Sequence, residues 1–497
     1  MTKDLSASTF SRRDLMSAGL MAIGAGGAAT LLPGEVVAAM REGASRPAPN
    51  FTKAHYRPTQ RELTATTLEV EGAIPPALSG RYLRNGHNPK PELVPPYWFE
   101  GNGMLHGVRL RGGRAEWYRN RWVQTPALHG KTLMGKDGSI DLTASAAATS
   151  VYAHAGRILA LQEVNLPFLV SPELQTLGPY DFGGKLKQSM TAHPKIDPNT
   201  GEMLFISYGP MEPHLTYYRV SRDGVLTDSE VVPGAGPSIM HDFAITPNWI
   251  VFLDPSVVFD KASKRPFPYK WDASYQARIG VMPRDRSKGA VRWIPVDPFF
   301  YFHTSNAWEE PDGTLRMEST HYDEAAWSRF GKWLMSLPGH PQWLVQGDRF
   351  ARWHIDPAAG TAKPEIHSEL SSDFPTINQA YLGRRNRYTY GEAFPGGALR
   401  HNALIKIDGR TGNVAIREFP DGQQPEEPWF VPDPAGTAED DGWLFSYVSD
   451  LRTQRSALHI IDAGDFTGKP AAVIRIPGWI PAGVHGSWID DAVLAQR

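Results

Sequence analysis

The chain has 497 residues and a formal net charge of −2, so it carries no basic excess with which to bind nucleic acid. It contains no cysteine, which excludes disulfides, thiolate metal sites, iron–sulfur clusters and a cysteine nucleophile; any metal must be held by His, Asp or Glu. Forty-seven Gly, 42 Pro and 11% aromatic residues favour many short strands joined by turns over helices.

At the N-terminus, Ser11-Arg12-Arg13-Asp14-Leu15-Met16 precedes an uncharged run rich in Ala, Gly and Leu, and Val37-Ala38-Ala39 offers small residues for cleavage. This pattern predicts a twin-arginine export signal over 1–39 and a flexible leader over 40–50, hence a periplasmic protein that folds before it is exported. The competing reading is a short apolar helix or membrane anchor.

From about residue 51 to the end, short apolar or alternating runs recur between turn signals. They include SGRYLRNG (79–86), MLHGVRLRGGRAEWYRNRWV (104–123), GRILALQE (156–163), GEMLFISYG (201–209), NWIVFLD (248–254), YTYGEAF (388–394) and GWLFSYVSD (442–450). Gly112-Gly113 and Asp223-Gly224 read as hairpin turns. The pattern is a succession of meanders, read as one all-β domain over 51–497, although no blade-length repeat aligns by eye. Two segments break the rhythm. Residues 323–345 are rich in Trp and Leu with helix-like stretches, and 261–271 (KASKRPFPYKW) read as a loop. Either could form an apolar lip for a peripheral membrane contact or a greasy substrate, or simply a buried cap.

Four histidines share one context, a strand-like run with small residues and a turn signal: His193, His241, His303 and His485, separated by 48, 62 and 182 residues. No helix or loop brings such distant imidazoles together. Many similar strands around an axis do, which favours a propeller over a sandwich. His106, His154, His214, His401 and His459 read as hydrogen-bonded structural residues. Three carboxylates in apolar surroundings, Glu163, Asp373 and Glu427, each need a buried donor, and the N–H of a metal-bound imidazole is one. An all-nitrogen site suits zinc, copper or iron, and chemistry alone leaves that choice open. Asp242 beside His241 is discounted as a triad partner because adjacent strand residues face opposite ways.

Taken in order, LSGRYLRNGHNP, WFEGNGMLHGVRL, TAHPKIDPNTGEM, MHDFAIT, FHTSNAWEE, EPWFVPDP with EDDGWLFSYVSD, and HGSWID resemble the carotenoid cleavage oxygenase family over 78–489, nearly all of the predicted mature chain. The resemblance implies a seven-bladed β-propeller closed by a helical and loop cap, with one non-haem Fe(II) on the axis held by His193, His241, His303 and His485. It implies that Glu163, Asp373 and Glu427 orient His241, His303 and His485, leaving His193 without an acidic partner. Asp373 stands where the family usually has Glu, so its reach should need a small backbone shift or a water. The implied reaction is oxidative cleavage of a carbon–carbon double bond by dioxygen, with no further catalytic side chain and no obligate protein partner.

Members that cleave hydroxystilbenes typically carry a lysine just before the first glutamate; here Gln162 occupies that position and supplies no positive charge. Tyr118 is a candidate for the tyrosine that accompanies the lysine, and packing explains it equally well. The expected substrate is therefore an apolar carotenoid or apocarotenoid, with a phenolic stilbene or phenylpropene as the alternative. An exported propeller that only binds, or a zinc hydrolase, remain the readings from other classes; no H-E-x-x-H motif supports the hydrolase.

Overall fold

The computed structural model describes residues 49–90, 95–133, 139–337, 349–368, 370–395 and 399–496. The predicted export signal and the predicted leader up to residue 48 lie outside the described residues, as does the end of the predicted lip from 338 to 345. Antiparallel strands dominate, arranged as seven sheets around an axis.

Blade 1 combines the N-terminal strands Leu63–Ala65, Gly80–Arg84, Met104–Arg111 and Arg114–Trp122 with the C-terminal Gly486–Asp490, which forms its inner edge. Blades 2 to 6 follow in sequence, each four strands long, opening respectively on Ser150–His154, Lys195–Ile196, Phe243–Ile245, Thr304–Glu309 and Ser372–Thr376. Blade 7 runs from Gln423–Pro425 to Ala472–Ile476 and takes its outer strand, Val70–Gly72, from the N-terminus. The two ends of the chain thus close the ring together. Gly486–Asp490 also touches the inner strands of blades 2 and 7.

Apolar clusters fill the blade interfaces, and the largest lies under the cap and joins it to blades 3 to 6. Leu83 and Leu105 of blade 1 pack on Val151 and Ile158 of blade 2; Leu161 of blade 2 packs on Phe205 of blade 3; Val281 of blade 4 packs on Met317 of blade 5. Tyr82 of blade 1 meets Phe445 and Ile474 of blade 7. A middle strand is therefore covered on both faces, as in Met203–Tyr208, where all six residues are buried. That explains why these strands read as apolar runs rather than as clean alternation. The Gly112-Gly113 turn expected from sequence joins two strands of blade 1, with φ of 53° and 75° at its glycines.

The inner strands all run away from the histidines, so the connection between a blade's second and third strands returns to the histidine face. The longest of these connections build the cap. One carries the helix Glu324–Leu334, capped by the Asp323 carboxylate, which accepts from the Ala326 amide. Its Trp327, Phe330, Trp333 and Leu334 are buried, so this part of the predicted lip turns its aromatic side inward. The other carries the 261–271 segment, and here the loop reading is corrected. Tyr269–Trp271 pairs with Val257–Phe259 as a hairpin arm, whose Phe267 packs on Tyr97, Phe99 and Trp327.

Trp333 is fully buried, with its ring 4.8 Å from Tyr56 and 5.4 Å from Trp98. Trp333→Ala is expected to cost about 3–5 kcal/mol. The urea midpoint reads this directly; a shift within error would mean that the cap contributes little to the folded ring. No helix among the described residues is long and apolar enough to cross a membrane.

Candidate metal centre

Each of the four histidines sits at the N-terminal mouth of an inner strand: His193 before Lys195–Ile196, His241 before Phe243–Ile245, His303 before Thr304–Glu309 and His485 before Gly486–Asp490. Blades 3, 4, 5 and 1 supply the imidazoles, and blades 2, 6 and 7 supply Glu163, Asp373 and Glu427. Every blade contributes one member of the constellation.

The four rings converge on the axis. One nitrogen from each lies within 4.8 Å of the others, and all four residues are at least nine-tenths buried. Backbone anchors hold the strand mouths. The Thr191 hydroxyl donates to the His241 carbonyl at 2.9 Å, the Thr320 hydroxyl oxygen accepts from the Phe302 and His303 amides, and the His485 amide donates to the Thr149 carbonyl.

Asp373 Oδ1 accepts from Nδ1 of His303 at 2.6 Å, and Glu427 Oε1 accepts from Nδ1 of His485 at 2.8 Å. With Nδ1 carrying the proton, Nε2 offers its lone pair to the axis. Nε2 of both rings is buried without a protein partner, a costly arrangement that a cation at the centre would resolve. The donor set therefore fits a divalent ion bound by four imidazole nitrogens. The third pair is looser: Glu163 Oε1 stands 3.6 Å from His241 Nδ1, beyond hydrogen-bond length. Its Oε1 is taken by the Ala192 amide at 2.8 Å, with the Thr191 hydroxyl at 3.4 Å. Among the described residues, no carboxylate is paired with His193.

Asp373 reaches His303 directly, without the intervening water allowed for it. A bulge follows it in the strand pairing and Phe374 adopts a φ of +54°. Tyr322 donates to the other carboxylate oxygen at 2.8 Å, a support for which the sequence holds no signal.

Burial and the neighbouring imidazoles push the pKa values of His193 and His241 well below the ordinary histidine range. Burial acts the same way on His303, but the Asp373, Asp242 and Glu427 carboxylates together outweigh it and the net shift is upward. Burial pushes Glu163 up to about 7, against the lowering effect of its hydrogen bonds. The discounted Asp242 is spoken for elsewhere: it pairs with Lys195 at 2.7 Å and accepts from the Thr304 amide and hydroxyl, both at 2.8 Å.

On the cap side, an aromatic cavity of about 90 Å3 reaches His241 and His303 between Tyr97, Trp98, Phe99, Phe267, Tyr269 and Phe302. Gln162 lines it, and its Oε1 accepts from the Ala148 amide at 3.0 Å and the Thr149 hydroxyl at 3.2 Å. The Ala148 N–H can only donate, so this contact assigns the oxygen and leaves the Gln162 amide nitrogen as the free donor. Tyr118, the other candidate from sequence, does not reach the cavity. It is fully buried between blades 1 and 7 with its hydroxyl bonded to His106 at 2.9 Å, so packing is its role. Two more of the histidines set aside as structural are bonded to backbone carbonyls, His154 to Gly201 and His214 to Gly209.

Residues 56–490 match the family described as retinal pigment epithelial membrane protein. The carotenoid cleavage oxygenase of Mycobacterium tuberculosis is 34% identical, over 88% of this chain and 97% of that protein. The carotenoid 9,10(9′,10′)-cleavage dioxygenase 1 of Arabidopsis thaliana is 31% identical over 90% and 91%, and resveratrol cleavage oxygenase 1 of Aspergillus fumigatus is 31% identical over 90% and 97%. Among solved structures, cobalt-substituted Synechocystis ACO superposes with a TM-score of 0.76 at 28% identity, covering 89% of this chain and 98% of the other. Pseudomonas brassicacearum lignostilbene dioxygenase superposes with a TM-score of 0.77 at 28% identity, covering 90% and 100%. With its seven-bladed ring and this coverage, the chain belongs to the retinal pigment epithelial membrane protein family, the family of the carotenoid cleavage oxygenases.

Proposed function

We propose that the protein is a non-haem Fe(II) dioxygenase that splits a carbon–carbon double bond of a carotenoid or apocarotenoid into aldehyde or ketone products. The observation that carries this reading is the placement of four buried imidazoles, two with unpartnered Nε2 atoms, at the floor of an aromatic cavity. His193, His241, His303 and His485 would hold the iron. When bound, iron supplies the activation of dioxygen, a redox step that no side chain here can perform.

The protein's own contribution is positional. Asp373 and Glu427 fix the orientation and protonation of their imidazoles, so that the nitrogens facing the axis are preorganised. Phe302 stands edge-on to His241 at 5.4 Å and Phe374 stacks on His303 at 5.4 Å, which holds these two imidazole rings in place. The aromatic walls suit the flat conjugated segment that carries the scissile bond and determine which bond lies over the site.

The stilbene reading draws on the lignostilbene and resveratrol enzymes among the relatives and on the polar groups of the cavity, the Tyr269 hydroxyl and the Gln162 amide. Gln162 is neutral, and a donor without charge stabilises a phenolate poorly. Comparing kcat/KM for an apocarotenal and a hydroxystilbene separates the two readings, with the polyene expected to be preferred. Gln162→Lys is expected to raise the stilbene value about tenfold, as a charge-assisted hydrogen bond would. A wild-type preference for the stilbene would overturn the substrate assignment and leave the metal site standing.

For location we propose twin-arginine export from the pattern at 11–39. Recovery of the protein from the cytoplasm after cell fractionation, with its first forty residues retained, would contradict it.

A further inference from the structure

A second cavity meets the histidines from below. It has a volume of about 530 Å3, receives residues from all seven blades, and reaches His193, His303 and His485 at its inner end. Its rim is formed by the exposed residues Pro198, Arg222, Gln379 and Gln496. These lie on connections that follow inner strands or join third to fourth strands, which places the opening on the face opposite the cap.

We infer that this axial channel is the route by which a divalent cation enters the protein to reach the four histidines. The inference rests on the proposed ligand set and concerns how that set is filled.

The cap side is a poor entrance for an ion. Its cavity has room for only about three waters and is walled mainly by aromatic rings, with Gln162, Glu163 and Tyr269 as polar lining, too little space for an ion that keeps its hydration shell. The axial channel holds more than ten waters at about 30 Å3 each, enough to carry a hydrated ion. The Thr376 hydroxyl lines it, buried and without a protein partner, and so has a hydrogen bond to offer channel water or a passing hydrated ion.

The charged groups facing the channel are mostly cancelled in pairs. Lys195 pairs with Asp242 at 2.7 Å and Asp197 with Arg284 at 2.6 Å, and the Glu427 carboxylate accepts from Nδ1 of His485. Near the mouth the lining also includes Arg222 and Asp490, one charge of each sign. No net positive barrier stands between solvent and the unpartnered Nε2 atoms of His303 and His485.

The test follows uptake of Co(II) alone by metal-free protein, using the visible absorption of the bound ion in stopped flow, with the bound stoichiometry measured separately at equilibrium. Ala153→Trp narrows the channel from blade 2 and is expected to slow uptake at least tenfold while the final stoichiometry stays at one ion per chain. At the rim, Gln379→Lys is expected to slow uptake and Gln379→Glu to speed it, each by about two- to fivefold at low salt, with the difference lost in 0.5 M salt. These exposed rim variants carry the test if the Ala153 variant does not fold. Phe267→Trp, which fills the cap cavity instead, is expected to leave the rate unchanged. Uptake slowed by Phe267→Trp and indifferent to the Gln379 charge would place the entrance at the cap and overturn the inference. Failure of the wild type to bind Co(II) at equilibrium would instead overturn the ligand set itself.

Discussion

Replacing His303 by Ala abolishes metal binding and turnover together while the ring stays folded. His303 supplies an Nε2 that is buried and free of protein partners, and its Nδ1 is already committed to Asp373 at 2.6 Å. Removing the ring leaves three nitrogens around the axis and takes the donor from a fully buried carboxylate. That carboxylate keeps two others, the Tyr322 hydroxyl and the Phe374 amide, both at 2.8 Å. The loss of stability should therefore be about 1–3 kcal/mol rather than the larger penalty of an abandoned buried charge. Circular dichroism would show a native β spectrum, and elemental analysis would show no stoichiometric metal. Full retention of the ion would mean that the four-histidine assignment is wrong.

Asp373→Asn should weaken metal affinity by about tenfold or more with the fold intact. The amide still presents an oxygen to His303, but it carries no charge to polarise the imidazole. Its NH2 faces the Tyr322 hydroxyl, which at present donates to Oδ2. Asp373→Glu should not improve on the wild type, because the shorter carboxylate already bonds His303 directly at 2.6 Å. Competition with a chelator of known affinity measures both variants. Unchanged affinity in Asp373→Asn would show that the carboxylate only fills space.

The four histidines were legible in the sequence because each stands directly before a strand, where a small or polar residue marks the turn into the axis, and because no compact structure other than a radial one reunites residues so far apart. Glu163, Asp373 and Glu427 were legible for a different reason, as acids in apolar runs that need a buried donor. How well each meets that need was not legible. Asp373 and Glu427 bond their imidazoles directly, whereas Glu163 spends its oxygen on the Ala192 amide and stands off from His241.

The blade period was hidden for two physical reasons. Strands covered on both faces lose their alternation, and the cap is built from insertions of unequal length between second and third strands, which destroy any fixed repeat. The same insertions hid the hairpin through Tyr269–Trp271, whose basic and proline-rich tip reads as loop. Tyr118 stayed open between two readings because a tyrosine in a strand carries no mark of which face it occupies; here its partner is His106. Tyr322 lies just after a strand in ordinary company, and only the fold places its hydroxyl on Asp373.

The most direct test of the proposed chemistry is product mass spectrometry of the iron-loaded protein turning over an apocarotenal under labelled dioxygen. The account predicts two carbonyl fragments from one double bond, with label in the new carbonyl groups and fragment masses that locate the bond. Intact substrate after full iron loading, with no labelled fragment from the polyene or from a hydroxystilbene, would contradict it and leave the ring as a metal-binding propeller without this activity.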